Sequence, residues 1–235
     1  MVGSGNVRRK RQALVTLLAG LLLAAGAAQG AWAQADEAGE VEREPVTMTI
    51  VDEDAVLLVT RVDGRDVVRV IGRTQVEHKS RAVWADQLEY DEAAGRATLT
   101  GSVELVDEGE DALNLTAQYL ELDLNTDAAK AAGDVRFRRG EASGSADELY
   151  YGSYQELRAL IEAELAGRSE SVRRAVQETL QSFRDDDTII VLKGRVDVRD
   201  GEREFQSEFV IINTRDDATV SLGRSAARLP GPSGE

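Results

Sequence analysis

A unit of about thirty residues recurs four times along the 235-residue chain, and this repetition most constrains its fold. Each unit opens with a glycine and alternating apolar residues, and later carries a small residue followed by an apolar pair two positions apart. The openings are Gly72 to Val76, Gly101 to Leu105, Gly133 to Phe137 and Gly194 to Val198, and the later pieces are Ala85 to Tyr90, Ala117 to Leu122, Ala146 to Tyr151 and Ser207 to Ile212. Self-similarity at a fixed period is typical of stacked supersecondary units that share a continuous core. The repetition therefore disfavours a chain built around one catalytic pocket.

Alternation within each unit predicts which side chains face the interior. Because side chains on a strand have a period of two, Val103 and Leu105 share one face and Ser102 and Glu104 the other. The same alternation predicts one continuous apolar surface lined by Val76, Leu88, Tyr90, Val103, Leu105, Leu120, Leu122, Val135, Phe137, Leu149, Tyr151, Val196, Val198, Val210 and Ile212. A filled core and an open trough for acyl chains are both compatible with this pattern. The small residue precedes each apolar pair by three positions, an odd offset that predicts a bend or bulge between them.

Strands and turns alternate through most of the chain. Thr47 to Val51 and Val56 to Val62 have strand character, and Val62-Asp-Gly-Arg65 predicts a hairpin because Asp-Gly suits a turn with positive φ. Short strands at regular spacing with turn signals indicate an all-β array or barrel.

The third unit carries an insertion of 32 residues, which predicts a helical hairpin over residues 153–187. Ser153 and Glu156 have capping-box spacing. Leu157, Leu160, Ile161 and Leu165 form one helical stripe, and Val172, Val176, Leu180 and Phe183 form a second. We expect the hairpin to pack on the sheet as a surface decoration, with a lid or partner site as the alternative.

The N-terminal residues 1–33 have the pattern of a cleavable secretory signal peptide. Four basic residues precede a 16-residue apolar run from Ala13 to Ala28, and Ala31-Trp-Ala33 is a small-x-small cleavage site. Residues 34–46 are acidic and small and predict a linker, and residues 224–235 predict a disordered tail. The alternative is that residues 13–33 are kept as a membrane anchor, which a cellular N-terminus at Gln34 would exclude.

Charge and residue counts exclude several function classes. Cleavage at Ala33 leaves 24 basic against 43 acidic residues, a net charge of −19 that repels nucleic acid. The chain has no cysteine and one histidine, His78, so neither a Cys/His metal site nor a disulfide is predicted. Asp86 and Asp147 share a repeat position, but repetition of an acid there indicates a solvated corner rather than a catalytic pair. No catalytic residue, metal or cofactor is therefore predicted.

The repeated pattern G-x-V-x-h … A-D-x-L-x-Y after a signal peptide resembles the OstA-like/LptA-like domain of the lipopolysaccharide transport system. The resemblance covers roughly residues 47–223 apart from the insert, and it is clearest at Ala85 to Val103 and Gly133 to Tyr151. It implies an all-β fold, a repeated antiparallel β-jellyroll (LptA/OstA-like), here with an inserted helical hairpin.

The resemblance also implies a function without enzymatic activity. Proteins of this family bind lipopolysaccharide acyl chains in an apolar groove and stack end to end by edge-strand pairing, forming a bridge to the outer membrane. We therefore expect a periplasmic protein whose fifteen interior residues contact an acylated envelope lipid, and whose partners are other copies and other β-jellyroll transport proteins. Because the chain is strongly acidic, another envelope glycolipid is an alternative cargo. The remaining alternatives are a membrane-anchored LptC-like relative, a structural envelope protein that polymerises through its β edges without cargo and, more remotely, an enzyme.

Overall fold

The computed structural model describes residues 46–108, 112–200, 203–215 and 218–228. The predicted signal peptide, the linker up to residue 45 and the tail from residue 229 lie outside these ranges. In the described ranges the strands are β1 (Thr47–Ile50), β2 (Val56–Val62), β3 (Arg65–His78), β4 (Arg81–Asp91), β5 (Arg96–Asp107), β6 (Leu113–Asp123), β7 (Ala128–Arg139), β8 (Ala142–Ser153), β9 (Thr188–Asp200), β10 (Arg203–Asn213), β11 (Thr219–Leu222) and β12 (Ala226–Arg228). The helices are α1 (Tyr154–Ala166) and α2 (Glu170–Leu180).

The strands form one antiparallel sheet in nearly sequential order. The order is β1-β3-β4-β5-β6-β7-β8-β9-β10-β11, while β2 pairs with the first half of β3 and β12 with the first half of β10. The predicted hairpin between β2 and β3 is confirmed: Val62 pairs with Arg65, and both Asp63 and Gly64 have positive φ. Consecutive strands therefore pair with each other, as expected for the antiparallel fold that the resemblance implies.

Each long strand bends near its middle, and the sheet folds onto itself as two layers. Layer A contains residues 56–62, 65–71, 87–91, 96–100, 119–123, 128–132, 148–153, 188–193, 209–213 and 219–222. Layer B contains residues 47–50, 74–78, 81–85, 103–107, 113–117, 135–139, 142–146, 196–200, 203–207 and 226–228. We call the line of bends between the layers the seam, and the opposite side, where the turns between strands lie, the mouth.

Bulges create the seam, which confirms the bend expected from the odd offset of the small residues. The pairing register shifts between Trp84 and Gln87 on β4 and between Thr100 and Val103 on β5. Ala85, the small residue before the bulge, is fully buried, so the bulge returns both Ala85 and Leu88 to the interior. Equivalent shifts occur on the other long strands.

The predicted helical hairpin forms and covers the outer face of layer A near its C-terminal end. Ser153 and Glu156 make the capping box of α1, and the Ser169 side chain caps α2. A second apolar cluster joins the helices to the sheet, with Ile161, Leu165, Val176, Leu180 and Phe183 from the hairpin and Ile189, Val191, Phe209, Ile211, Val220 and Leu222 from the strands. This part of layer A is therefore buried on both faces.

The first residues of the predicted tail belong to the sheet instead. Ala226–Arg228 forms β12, which pairs with Glu204, Phe205 and Gln206 of β10, so residues 224–228 are not a disordered tail. The reason is that Gly223, with a φ of +95°, makes one more bend at the seam and returns the chain to layer B. At the other boundary, Val46 of the predicted linker packs against the interior cluster.

Candidate functional site

The fifteen residues predicted to line the interior all lie in one apolar cluster between the two layers. Twelve of them are buried, and Tyr90, Tyr151 and Ile212 are half-buried at its margin. The cluster also contains Ala85, Ala117 and Ala146, the small residues of the repeats. Leu99 and Leu115 belong to it as well, although the repeat pattern had not singled them out. The alternation therefore predicted the facing of these side chains correctly.

The interior is filled in its middle and open at its C-terminal end. Beneath Arg81 and Tyr151, between Leu105 and Leu122, the remaining void is about 30 Å³, roughly the space of one water molecule. Between layer B at Phe137 and layer A at Ile212, the layers separate around a cavity of about 360 Å³. The interior is therefore packed in one part and holds an open cavity in another.

Four charged side chains close the mouth above the filled part, and we call this group the clasp: Lys79, Arg81, Asp107 and Asp127. Lys79 Nζ lies 2.7 Å from Asp127 Oδ2, and Arg81 Nη1 lies 3.6 Å from Asp127 Oδ1, so both ion pairs join layer B to the β6–β7 turn of layer A. Arg81 also pairs with Asp107 at 2.9 Å. Its guanidinium lies 5.6 Å from the centre of the Tyr151 ring. The clasp therefore joins the two layers on the side where no strand connects them.

The clasp was not predicted from the sequence. Arg81 and Asp127 are 46 positions apart, and they meet only because layer B at β4 lies opposite layer A at the β6–β7 turn. One signal for it was available. Arg81 lies two residues before the interior-facing Val83, and residues two apart on a strand face the same side of the sheet.

Asp86 and Asp147 lie at the seam, as the corner interpretation of the sequence indicated. Asp86 Oδ2 accepts a hydrogen bond of 2.8 Å from the Ser102 backbone N–H, and Asp147 Oδ2 accepts one of 3.0 Å from that of Arg195. The Ser102 N–H holds the pKa of Asp86 below its ordinary value, and the Arg195 guanidinium and N–H do the same for Asp147. Each carboxylate therefore satisfies a backbone donor that the bulge removes from strand pairing.

His78 is the last residue of β3, and its side chain is buried although Glu77 and Lys79 on either side of it are charged. It is 7% exposed because it lies two residues after Val76 and shares the interior face. Neither ring nitrogen has a hydrogen-bond partner, so no serine or carboxylate orients the ring. In the described ranges, no group of three or more His, Asp or Glu side chains is placed to hold a metal ion.

The N-terminal end of the sheet exposes apolar side chains. All seven residues of β2 are exposed, and Val59, on the interior-facing side of the strand, is 62% exposed. In the part of the chain that the structure describes, β2 and β1 each pair only with β3, so their outer edges have no strand beside them.

No helix of the described residues is long and apolar enough to cross a membrane.

These features define the class of protein: an antiparallel β-jellyroll with an inserted helical hairpin, the fold class that the sequence predicted. No family model matches the chain, and no curated protein matches it. Among solved structures, 16 chains are similar to it. One is LptH, described as the LptA-homologous periplasmic component of the conserved lipopolysaccharide transport device from Pseudomonas aeruginosa. That similarity has a TM-score of 0.39 and 11% sequence identity, and it covers 46% of this chain and 76% of LptH. At these values it carries no weight for function.

Proposed function

We propose that this protein is a non-enzymatic lipid-binding protein of the periplasm, which carries lipopolysaccharide or another envelope glycolipid toward the outer membrane. The observation that supports this function best is the continuous apolar interior, which opens to solvent as a cavity of about 360 Å³ between Phe137 and Ile212. A core that served stability alone would be closed at both ends, because proteins pack their interiors with few voids larger than a water molecule.

In this proposal, acyl chains bind by entering the space between layers A and B. Each buried methylene contributes about 0.8 kcal/mol. Exposed ion pairs are worth about 0–1 kcal/mol each, so the half-exposed contact between Lys79 and Asp127 is a weak barrier to separating the layers at the mouth. The continuous strands at the seam would hold the layers together while the mouth opens.

Transfer between copies would use the edge strands. The unpaired edges of β1 and β2 lie at one end of the sheet, and β11 and β12 lie at the other. Antiparallel pairing of these edges in neighbouring copies would align their interiors and cover the exposed side chains of β2. The partners in this proposal are therefore further copies and other β-jellyroll transport proteins.

The experiment that tests lipid binding is photocrosslinking in cells from neighbouring positions on one strand. Phe137 is 5% exposed and faces the interior, whereas the adjacent Arg138 is exposed on the outer face of layer B. A photoreactive residue at position 137 should yield an adduct with an acylated lipid, and one at position 138 should not. Mass spectrometry of the adduct identifies the cargo. Absence of a lipid adduct at position 137 in the folded protein would refute the proposal.

A second candidate function is a structural envelope protein that polymerises through its β edges and carries no lipid. The exposure of all seven residues of β2 and the filled middle of the interior favour it. Native mass spectrometry of the protein purified from its own envelope in mild detergent separates the two candidates. A stoichiometric acylated lipid favours transport, and a ladder of lipid-free oligomers favours the structural function.

A further inference from the structure

The C-terminal cavity is much smaller than the whole interior, and its size restricts what it can hold. It lies between the layers, and its apolar wall consists of Phe137, Ile190, Val198, Phe205, Val210 and Ile212. Its volume of about 360 Å³ is at the lower end of the range of roughly 300–1,000 Å³ found for small-molecule pockets. Beyond the cavity the interior is closed, since only about 30 Å³ remains beneath Arg81 and Tyr151.

We propose that this cavity is a binding site for one unbranched acyl chain of a single-chain amphiphile, such as a fatty acid or a lysophospholipid. The inference rests on the proposed lipid-binding function and specifies its ligand in the conformation described here. A lipid with several acyl chains requires the clasp to open, whereas a single chain enters the cavity without any change in the rest of the interior.

Most of the polar side chains that line the cavity lie at the mouth, which orients the ligand. Arg139 and Glu141 lie at the β7–β8 turn, and Thr219 lies across from them beside Ile212. Ser221 also lines the cavity, but it lies toward the seam, where its hydroxyl donates a hydrogen bond of 2.9 Å to Ser207 Oγ. The rest of the wall is apolar, so the acyl chain would lie against it while the polar head stays at the mouth. One cationic and one anionic side chain line the entrance, so together they favour neither sign of charge on the head group. The affinity should therefore depend more on the acyl chain than on the charge of the head group.

The closed inner end of the cavity predicts a limit to chain length. Each added methylene that enters an apolar site tightens the dissociation constant by about fourfold. Affinity should therefore rise along a series of saturated fatty acids and reach a plateau when the chain meets the filled part of the interior. An interior open along its full length would show no plateau within the series.

The test is calorimetric titration of the full mature chain with three kinds of probe. These are saturated fatty acids of roughly 8 to 18 carbons, which span the lengths that a pocket of this size admits, palmitoyl-lysophosphatidylglycerol, and a six-chain glycolipid of the lipid A type. The variants are Val198→Trp, which fills the cavity, and Ile212→Trp, whose half-buried position lets the ring enter from the mouth. The control is Asp197→Trp, since Asp197 precedes Val198 on the same strand but is exposed on the outer face.

We expect both single-chain probes to bind the wild-type protein and the control, and binding to fall at least about tenfold in Val198→Trp and Ile212→Trp. Because Ile212 is half-buried, its variant keeps the test valid if Val198→Trp does not fold. Single-chain binding that both cavity variants retain would overturn the inference and leave lipid binding intact. Binding of the six-chain glycolipid alone would do the same. Failure of every probe to bind would overturn both this inference and the proposed function.

Discussion

Gly101 and Asp86 meet at the seam, and their contact explains why a glycine opens each repeat. Gly101 has a φ of +96°, and a Cβ atom there would lie 2.7 Å from Cβ of Asp86. The carboxylate needs this space because it accepts the Ser102 N–H on the same bend. The repeat pattern identified the glycines as unit openings but not the side chains beside them, which include the amide of Gln118 at Gly133 as well as carboxylates. The number of residues between the acid and its glycine varies along the chain. Asp52, which accepts a hydrogen bond from the Arg73 backbone N–H, is one example.

Replacement of the seam glycine should therefore be costly. We expect Gly101→Ala to lower the free energy of unfolding by roughly 2–4 kcal/mol, since it combines a strained backbone with a steric clash. The matched control is Gly140→Ala, because Gly140 also has positive φ but has no atom within 4 Å of an added Cβ. The control should cost only about 1 kcal/mol. Urea unfolding of both variants measures the difference, and equal losses would show that space at the seam is unimportant.

Asp187 joins the helical hairpin to the sheet at a buried polar site. Its Oδ2 accepts hydrogen bonds from the Arg184 backbone N–H and from Asn213 Nδ2, each at 2.9 Å, and its Oδ1 lies 2.9 Å from Arg215 Nη1. The Arg184 N–H is the largest cause that lowers the pKa of Asp187, and the other two groups act in the same direction. Nothing in the sequence distinguishes Asp187 from its acidic neighbours Asp185 and Asp186.

The lowered pKa predicts a loss of stability in acid. A carboxyl group whose folded pKa lies below its unfolded value of about 3.9 stabilises the fold fully above that pH, and the contribution disappears as pH falls toward the folded pKa. Asp187→Asn should therefore be less stable than the wild type at pH 7 and should lose less stability between about pH 5 and pH 3. Thermal unfolding across this range measures the effect. Asp185→Asn, at an exposed position, is the control, and an identical acid dependence in all three proteins would contradict the prediction.

At the scale of whole elements, the repeats and the helical hairpin were predictable because local patterns determine them. The odd offset between Ala85 and Leu88 predicted the bulge, and Ser153 with Glu156 predicted the start of α1. The continuous apolar run from Ile189 to Leu192 is buried on both faces, a pattern that indicates a covered sheet. Val172 was assigned to the apolar stripe of α2 but is 38% exposed. The buried residues of that helix are Val176 and Leu180.

The hairpin should contribute to stability through this covered face. Ile161 is 1% exposed and packs in the cluster with Phe209 and Ile211. We expect Ile161→Ala to lower the free energy of unfolding by about 2–4 kcal/mol, as for other large-to-small substitutions in a core. The adjacent exposed Glu162→Ala is the control and should change it by less than about 0.5 kcal/mol. A small effect of Ile161→Ala in chemical denaturation would mean that the hairpin is only loosely attached.

For the whole molecule, the arrangement of the layers could not be predicted from local patterns. Alternation assigns Val76 and Leu122 to interior faces, but it does not determine which part of layer A lies opposite which part of layer B. That arrangement places Asp127 beside Lys79 and Arg81, and it leaves the open volume at Ile212 rather than elsewhere. The facing of the candidate site was therefore predictable, whereas its division into a filled part and a cavity depends on the three-dimensional packing.

The two ends of the sheet lead to a prediction about assembly. An exposed apolar edge strand is a template for pairing with another chain, and inward-facing or edge lysines are a common means of blocking it. We expect the wild-type protein to form oligomers whose size increases with concentration, and Val59→Lys on β2 to shift them toward the monomer. Thr116→Lys is the control, since Thr116 is exposed on β6 in the middle of the sheet, and it adds the same charge away from both edges. Analytical ultracentrifugation measures the distribution. A monomeric wild-type protein at all concentrations, or equal dissociation in both variants, would contradict head-to-tail pairing through β2.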